Sequence, residues 1–179
     1  MTERRIGNVL FQMIVGDITN QTDIDAVVNA ANAQLKPGGG VAGAIHRAAG
    51  PGLAAECAPL APIRPGESVI TGGYGLPNPY VIHCLGPVYG INEPAAELLS
   101  SCYRGALELA DDTALGSVAF PAISTGAFGY PASDAARIAL RTIFDVAPRL
   151  SNVDLVRMVL YSKANLDVHE KALAELGID

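Results

Sequence analysis

Val27-Val28-Asn29-Ala30-Ala31-Asn32-Ala33 runs through Lys36-Pro37-Gly38-Gly39-Gly40 into Val41-Ala42-Gly43-Ala44-Ile45-His46-Arg47. The order reads as a short buried strand, a polar loop, three consecutive glycines and a helix of small residues. Glycine has no Cβ, so the backbone can take positive φ and bring its N–H groups close to a ligand. A helix starting straight after the glycines adds unpaired N–H groups and the positive end of its dipole. Such a unit suits an anion, phosphate above all. Taken alone, a glycine run can equally serve only to turn the chain.

A second unit of the same kind favours the phosphate. The apolar strand Ser117–Phe120 runs into Pro121-Ala122-Ile123-Ser124-Thr125-Gly126-Ala127-Phe128-Gly129-Tyr130-Pro131. Here hydroxyls, two glycines and exposed aromatics precede a helix from Pro131 to about Ala147, with proline well placed at its start. Two glycine loops, each at a helix start, can grip a diphosphate through main-chain donors without an arginine cluster. The composition agrees. With 12 Lys and Arg against 18 Asp and Glu, the net charge is -6, so a bulk basic footprint for nucleic acid is missing. Phe128, Tyr130 and Tyr161 are candidates for an aromatic face on a base or sugar. Neither glycine run closes with Gly-Lys-Ser/Thr, and no GxGxxG follows the first strand, which excludes a Walker A loop and a dinucleotide fingerprint. No Ser-His-Asp order and no metal-ligand cluster is readable, so neither metal nor cofactor is expected. The residues themselves lead to a nucleoside diphosphate derivative as ligand.

The remaining strands are read over Val9–Val15, Ala26–Asn29, Ser68–Thr71, Tyr80–Leu85 and Leu155–Tyr161. Further helices are read from Pro51, from Glu93-Pro94 to about Ala110, and over Asn165–Leu176. At 179 residues, half of them hydrophobic and 6% aromatic, the chain suits one domain of helices packed on a largely buried sheet. Asp17 follows a strand's carboxyl end, where ligands of open α/β sheets bind; as a turn or cap residue it needs no ligand. Of Asn29 and Asn32, one is expected to pin the loop backbone and the other to contact a ligand. Ala42 and His46, four residues apart, share a helix face, and His46 either acts in chemistry or packs. His83 and Cys84 read as core. Cys57, Cys84 and Cys102 read as small buried hydrophobes in a reducing compartment. The start, Met1-Thr2-Glu3-Arg4-Arg5, has no apolar run behind it and no stretch is long enough to span a membrane, so a soluble cytoplasmic protein is expected.

Four segments in this order resemble a macrodomain, the ADP-ribose-binding α/β/α module: Gly16-Asp17-Ile18-Thr19; Val28-Asn29-Ala30-Ala31-Asn32; Gly38-Gly39-Gly40-Val41 with Ala44-Ile45-His46-Arg47-Ala48-Ala49-Gly50; and Phe120-Pro121-Ala122-Ile123-Ser124-Thr125-Gly126. Tyr80-Val81-Ile82-His83 and Leu85-Gly86-Pro87 match as well, so the likeness spans nearly the whole chain. It implies a single macrodomain over residues 1–179, a three-layer α/β/α sandwich on a mixed central sheet of about six strands. It implies that Asp17 accepts a hydrogen bond from the adenine amino group beside the Ile18 backbone, and that Asn32 holds the distal ribose. Gly39, Gly40 and Val41 would wrap one side of the diphosphate and Ser124, Thr125, Gly126, Ala127 and Phe128 the other. Phe128 would pack near the distal ribose and Tyr161 against adenine.

The subclass it most resembles, the MacroD-type hydrolases, removes ADP-ribose from acidic side chains and deacetylates O-acetyl-ADP-ribose. There the glycine run is followed by Val-Asp-Gly, the aspartate activating or orienting water. Here that position is Ala42, with the partner His46 kept. Some macrodomains with alanine at this place are still hydrolases. The resemblance therefore implies a hydrolase using Asn32 and His46 with weakened chemistry, or a non-catalytic reader of ADP-ribose and ADP-ribosylated proteins. Phosphatase action on ADP-ribose 1″-phosphate would use the same pocket. No membrane partner is expected, and no nucleic acid apart from ADP-ribosylated ends.

Overall fold

The computed structural model describes residues 1–177. Its strands are β1 (Thr2–Ile6), β2 (Val9–Val15), β3 (Ala26–Ala30), β4 (Ser68–Gly72), β5 (Tyr80–Cys84), β6 (Ser117–Phe120) and β7 (Leu155–Leu160). The helices are α1 (Gly40–Ala49), α2 (Pro51–Cys57), α3 (Ala95–Asp112), α4 (Ala132–Val146) and α5 (Lys163–Glu175). The sheet is mixed, in the order β1-β2-β7-β6-β3-β5-β4. β2, β7, β6, β3 and β5 run parallel, and β1 and β4 close the edges antiparallel.

Strand periodicity sorts the core into two layers, because successive side chains point to opposite faces. Val27, Val81, Ala119 and Val159 meet Ile45 of α1 and Leu53 and Cys57 of α2. Their neighbours Val28, Ile82, Val118 and Met158 meet α3, α4 and α5 through Leu99, Leu140 and Leu173. Helices cover both faces, giving the α/β/α sandwich. This is why β6 reads as an unbroken apolar run: Ser117, Val118, Ala119 and Phe120 are all buried, as a central parallel strand requires.

The sheet has seven strands, one more than the apolar pattern indicates. The additional one is β1, Thr2-Glu3-Arg4-Arg5-Ile6, paired in register from Thr2↔Met13 to Ile6↔Val9. Its residues alternate between half-buried and exposed, so it carries no apolar stripe. Charges on such a strand are what keeps an open edge from pairing with another chain. Among the described residues no helix is long and apolar enough to cross a membrane.

The topology sets where a ligand goes. Val15 pairs with Leu160, and Ala30 with Cys84, so the loops after β2, β3, β5, β6 and β7 leave one edge of the sheet. β3 and β6 are neighbours. The chain leaves β3 towards α1 on one face and β6 towards α4 on the other, which makes a topological switch point between them. In open α/β sheets that crevice is where ligands bind.

Candidate functional site

The loop after β3 is held by Asn32. Its Nδ2 donates to the Lys36 carbonyl at 2.8 Å and its Oδ1 accepts from the Lys36 N–H at 3.0 Å. Each atom keeps a second site, one N–H and one lone pair. Asn29 does something else. Strand alternation turns its side chain under α1, where Nδ2 lies 3.0 Å from His83 Nδ1. Asn32 thus pins the loop, as expected of one of the two, and Asn29 is engaged beneath it. A Cβ at Gly38 would lie 3.4 Å from Asn32 Nδ2 and 4.0 Å from the Ala42 Cβ, so Asn32 and Ala42 meet around this glycine.

Gly39 caps α1, and Gly40, its first residue, has φ of 55°. The first main-chain bond of the turn runs from the Gly43 N–H to the Gly39 carbonyl at 3.2 Å. Ahead of it, the N–H groups of Gly39, Gly40, Val41 and Ala42 have no acceptor among the described residues. No side chain caps the helix and no acid stands in its first turn, leaving its positive end uncompensated. Gly43 permits this arrangement, since a Cβ there would lie 2.3 Å from the Gly38 carbonyl oxygen. Gly43→Ala is expected to force helix and loop apart at a cost of about 1–3 kcal/mol. Thermal unfolding should show the loss; an unchanged midpoint would mean that helix and loop take up the methyl group without moving apart.

In the loop after β6, three carbonyls are used and a run of four amides is not. The Ser124, Gly126 and Phe128 carbonyls accept from the N–H groups of Tyr130 (2.9 Å), Gly129 (3.0 Å) and Tyr89 (2.9 Å). Thr125 Oγ1 donates to the Ala122 carbonyl at 2.8 Å. The N–H groups of Thr125, Gly126, Ala127 and Phe128 have no acceptor among the described residues. Successive free amides on a tight loop form an anion-binding concavity. Ser124, buried and at φ 66°, sits in a conformation that costs a non-glycine residue about 1–3 kcal/mol. Gly86 makes room for it: a Cβ there would lie 2.1 Å from Ser124 Oγ. In the sequence Gly86 stands out only within Leu85-Gly86-Pro87, with no role of its own; that Gly-Pro pair, one residue beyond β5, is the available signal.

The aromatics differ in use. Tyr161 is 92% exposed just past β7, and Phe128 is half-buried against the α1 side of the core. Tyr130, expected to be exposed, is buried. Its N–H bond to Ser124 folds the loop back, and its ring packs 4.9 Å from that of Tyr89. It therefore offers no free face. After β2, Asp17 Oδ1 accepts from the Thr19 N–H at 2.8 Å and Thr19 Oγ1 at 2.7 Å, and this hydroxyl bond, with the amide's, holds the carboxyl below its usual range. Asp17 is a turn residue, as the simpler reading has it, and its Oδ2 still has no partner among the described residues. Ile18 beside it is buried and its N–H has no acceptor there either.

Ala42 and His46 lie on the buried side of α1, and both ring nitrogens of His46 lack a partner among the described residues. Burial pushes the His46 pKa down, so the ring is neutral at pH 7. Deeper, fully buried His83 is the centre of a polar network under the helices. With Nδ1 facing the Asn29 amide donor, Nε2 carries the proton and lies 2.9 Å from Thr71 Oγ1, whose own proton goes to the Gly72 carbonyl at 3.1 Å. Cys57 Sγ is 3.6 Å from the same nitrogen. Burial first, then the nearby His46, pushes the His83 pKa down to about 4. Cys57, Cys84 and Cys102 are free and buried, with burial raising all three thiols. Among the described residues no three His, Cys, Asp or Glu side chains gather as a metal-binding group.

A family model, the Macro domain, matches residues 28–139. A macro domain-containing protein of Chlorobaculum tepidum is 49% identical over 168 residues, covering 93% of this chain and 97% of that protein. A Salmonella newport protein named O-acetyl-ADP-ribose deacetylase is 45% identical, covering 94% and 96% of the two chains. Among solved structures, the Oceanobacillus iheyensis macrodomain with ADP superposes with a TM-score of 0.94 at 40% identity, covering 98% of this chain and 95% of the other.

Proposed function

Because the chain belongs to the macrodomain family, we propose that residues 1–179 act as one macrodomain that binds ADP-ribose and hydrolyses O-acetyl-ADP-ribose or mono-ADP-ribosyl esters of Asp and Glu, with chemistry weakened at Ala42. One observation carries the binding. Two loops on adjacent strands present free amides, those of Gly39, Gly40, Val41 and Ala42 on one side and of Thr125, Gly126, Ala127 and Phe128 on the other. A diphosphate between them receives main-chain donors and a helix N-terminus, so a chain of net charge -6 needs no arginine there. The names of the Salmonella and Oceanobacillus relatives support the same ligand class.

In this reading Asp17 Oδ2 takes the adenine amino group, with the free Ile18 N–H beside it. Tyr161 supplies a face for the base at the end of β7. Asn32 uses its remaining N–H and lone pair on the distal ribose, and the half-buried Phe128 ring bounds that sugar. Ser124 shapes its loop through its left-handed backbone. His46, neutral and without a protein partner, is the polar group one helical turn from Ala42 that can orient water. Asn32 and His46 thus hold and orient the reacting end, and no proton acceptor stands at 42.

The test is calorimetry with ADP-ribose beside an assay of O-acetyl-ADP-ribose and a mono-ADP-ribosylated glutamate peptide. Asp17→Ala is expected to weaken ADP-ribose binding about 10–100-fold, as loss of a hydrogen bond to a charged group implies; unchanged affinity removes Asp17 from base recognition. A second reading, a non-catalytic reader of ADP-ribosylated proteins, is favoured by Ala42. Tight binding without turnover of either substrate would establish it.

A further inference from the structure

We infer that Gln21 and Arg157, which touch no ligand-binding atom named so far, are positioning residues that set the base specificity of Asp17; this rests on the adenine role proposed for Asp17. The Asp17 carbonyl is held by two donors, Gln21 Nε2 at 2.8 Å and the Asn20 N–H at 3.1 Å. Gln21 is buried, and its amide is engaged at both ends. While Nε2 holds Asp17, Oε1 accepts from Arg157 Nη1 at 3.0 Å. Its own carbonyl accepts from Asn78 Nδ2 at 2.7 Å, which also reaches the Ile24 carbonyl at 2.7 Å.

Arg157 reaches this loop from the sheet. It stands on β7 opposite Gln12 of β2, and its side chain is 11% exposed. Nη1 and Nη2 bind the Asp23 carboxylate at 2.8 and 2.7 Å, and Nε donates to Gln12 Oε1 at 2.9 Å. A guanidinium stays charged and presents its donors in a fixed plane. Four of its N–H directions are occupied here, so the geometry is passed on rigidly: from the sheet to Arg157, to the Gln21 amide, to the Asp17 backbone. The carboxylate that would read the base is itself exposed, and what fixes it lies beneath, in a buried amide and an ion pair with one partner nearly out of solvent.

If Arg157 and Gln21 only fastened the loop, removing them would lower stability and weaken every ligand alike. As positioning residues they must alter discrimination between bases. The readout is the ratio of dissociation constants for ADP-ribose and inosine diphosphate ribose, whose base carries a carbonyl acceptor where adenine has its amino donor. The unsubstituted protein is expected to prefer ADP-ribose at least about tenfold. In Gln21→Met and Arg157→Lys, shown folded by thermal unfolding, that preference should fall to within about threefold, mainly through weaker ADP-ribose binding. Folded variants that keep the tenfold preference overturn the inference. Arg157→Lys, which keeps a cation for Asp23, serves as the milder variant should Gln21→Met fail to fold. A protein that binds both ligands equally before any substitution overturns the adenine role of Asp17, and one that binds neither overturns the proposed function.

Discussion

The Ala42→Asp variant is expected to hydrolyse a mono-ADP-ribosylated glutamate peptide about 10²–10⁴-fold faster than the chain as it stands, the usual contribution of a positioned general base. Position 42 is the third residue of α1, counted from the Gly39 cap. A carboxylate there would meet the free N–H groups of that first turn and the uncompensated helix dipole. Both favour its charged form, and they oppose the desolvation that comes with a site only 5% exposed. His46 stands one turn on, neutral and with both ring nitrogens unpartnered. The added oxygen would thus share a helix face with an imidazole and lie near Asn32 across Gly38, around the place proposed for the distal ribose.

The same change should lower ADP-ribose affinity about 3–10-fold, because the new carboxylate takes up part of the helix N-terminus that the diphosphate would use, while the donors of the loop after β6 remain. Steady-state turnover beside calorimetry separates the outcomes. Turnover confined to the aspartate variant makes the present chain a disarmed hydrolase or a reader. Comparable turnover in both would mean that ribose and water positioning carry the reaction, a contribution that orientation alone can make large.

The elements that surround this site were legible where burial is two-sided or a glycine marks an end. Ser117–Phe120 reads as a buried strand because every residue in it is apolar or small, and α1 is bounded by Gly40 and Gly50 at its two ends. β1 was not legible: its charges belong to an edge strand that needs no apolar stripe, and its place depends on pairing with β2. The Asn29–His83 contact depends on β3 lying beside β5, and nothing within either strand announces it. Tyr130 is buried by a loop that bonds back on itself, which no window of composition reports. Gly86 matters through Ile123 and Ser124, which come from a different strand end. What sequence leaves out is contact across strands; what it supplies is the ordered set of loop residues that the parallel strands deliver to one edge.

The network beneath α1 gives the second large effect, on stability against pH. His83 has a folded pKa of about 4, against about 6.5 in an unfolded chain. A base whose pKa is depressed on folding stabilises the native state above the unfolded value, and that stability is lost as pH falls from about 6.5 towards 4, since only the unfolded chain takes the proton. The full difference is about 3 kcal/mol, of which about 2 kcal/mol is lost between pH 7 and pH 5. For a chain of this size that is a fall of about 4–8 °C in the thermal midpoint. His46 and His169, both lowered by burial, act in the same direction. Protonation would also turn His83 Nδ1 from acceptor to donor against the Asn29 amide, so the 3.0 Å contact that ties β3 to β5 on the α1 face would be kept only if the amide turned over to present Oδ1. His83→Gln should therefore start less stable at pH 7, having lost the ring's packing, yet lose less on acidification than the unsubstituted protein. Denaturation midpoints at pH 7 and pH 5 for both proteins decide it. Parallel losses would mean that the acid sensitivity comes from His46, His169 or elsewhere, and that His83 titrates in the folded protein as it does in the unfolded chain.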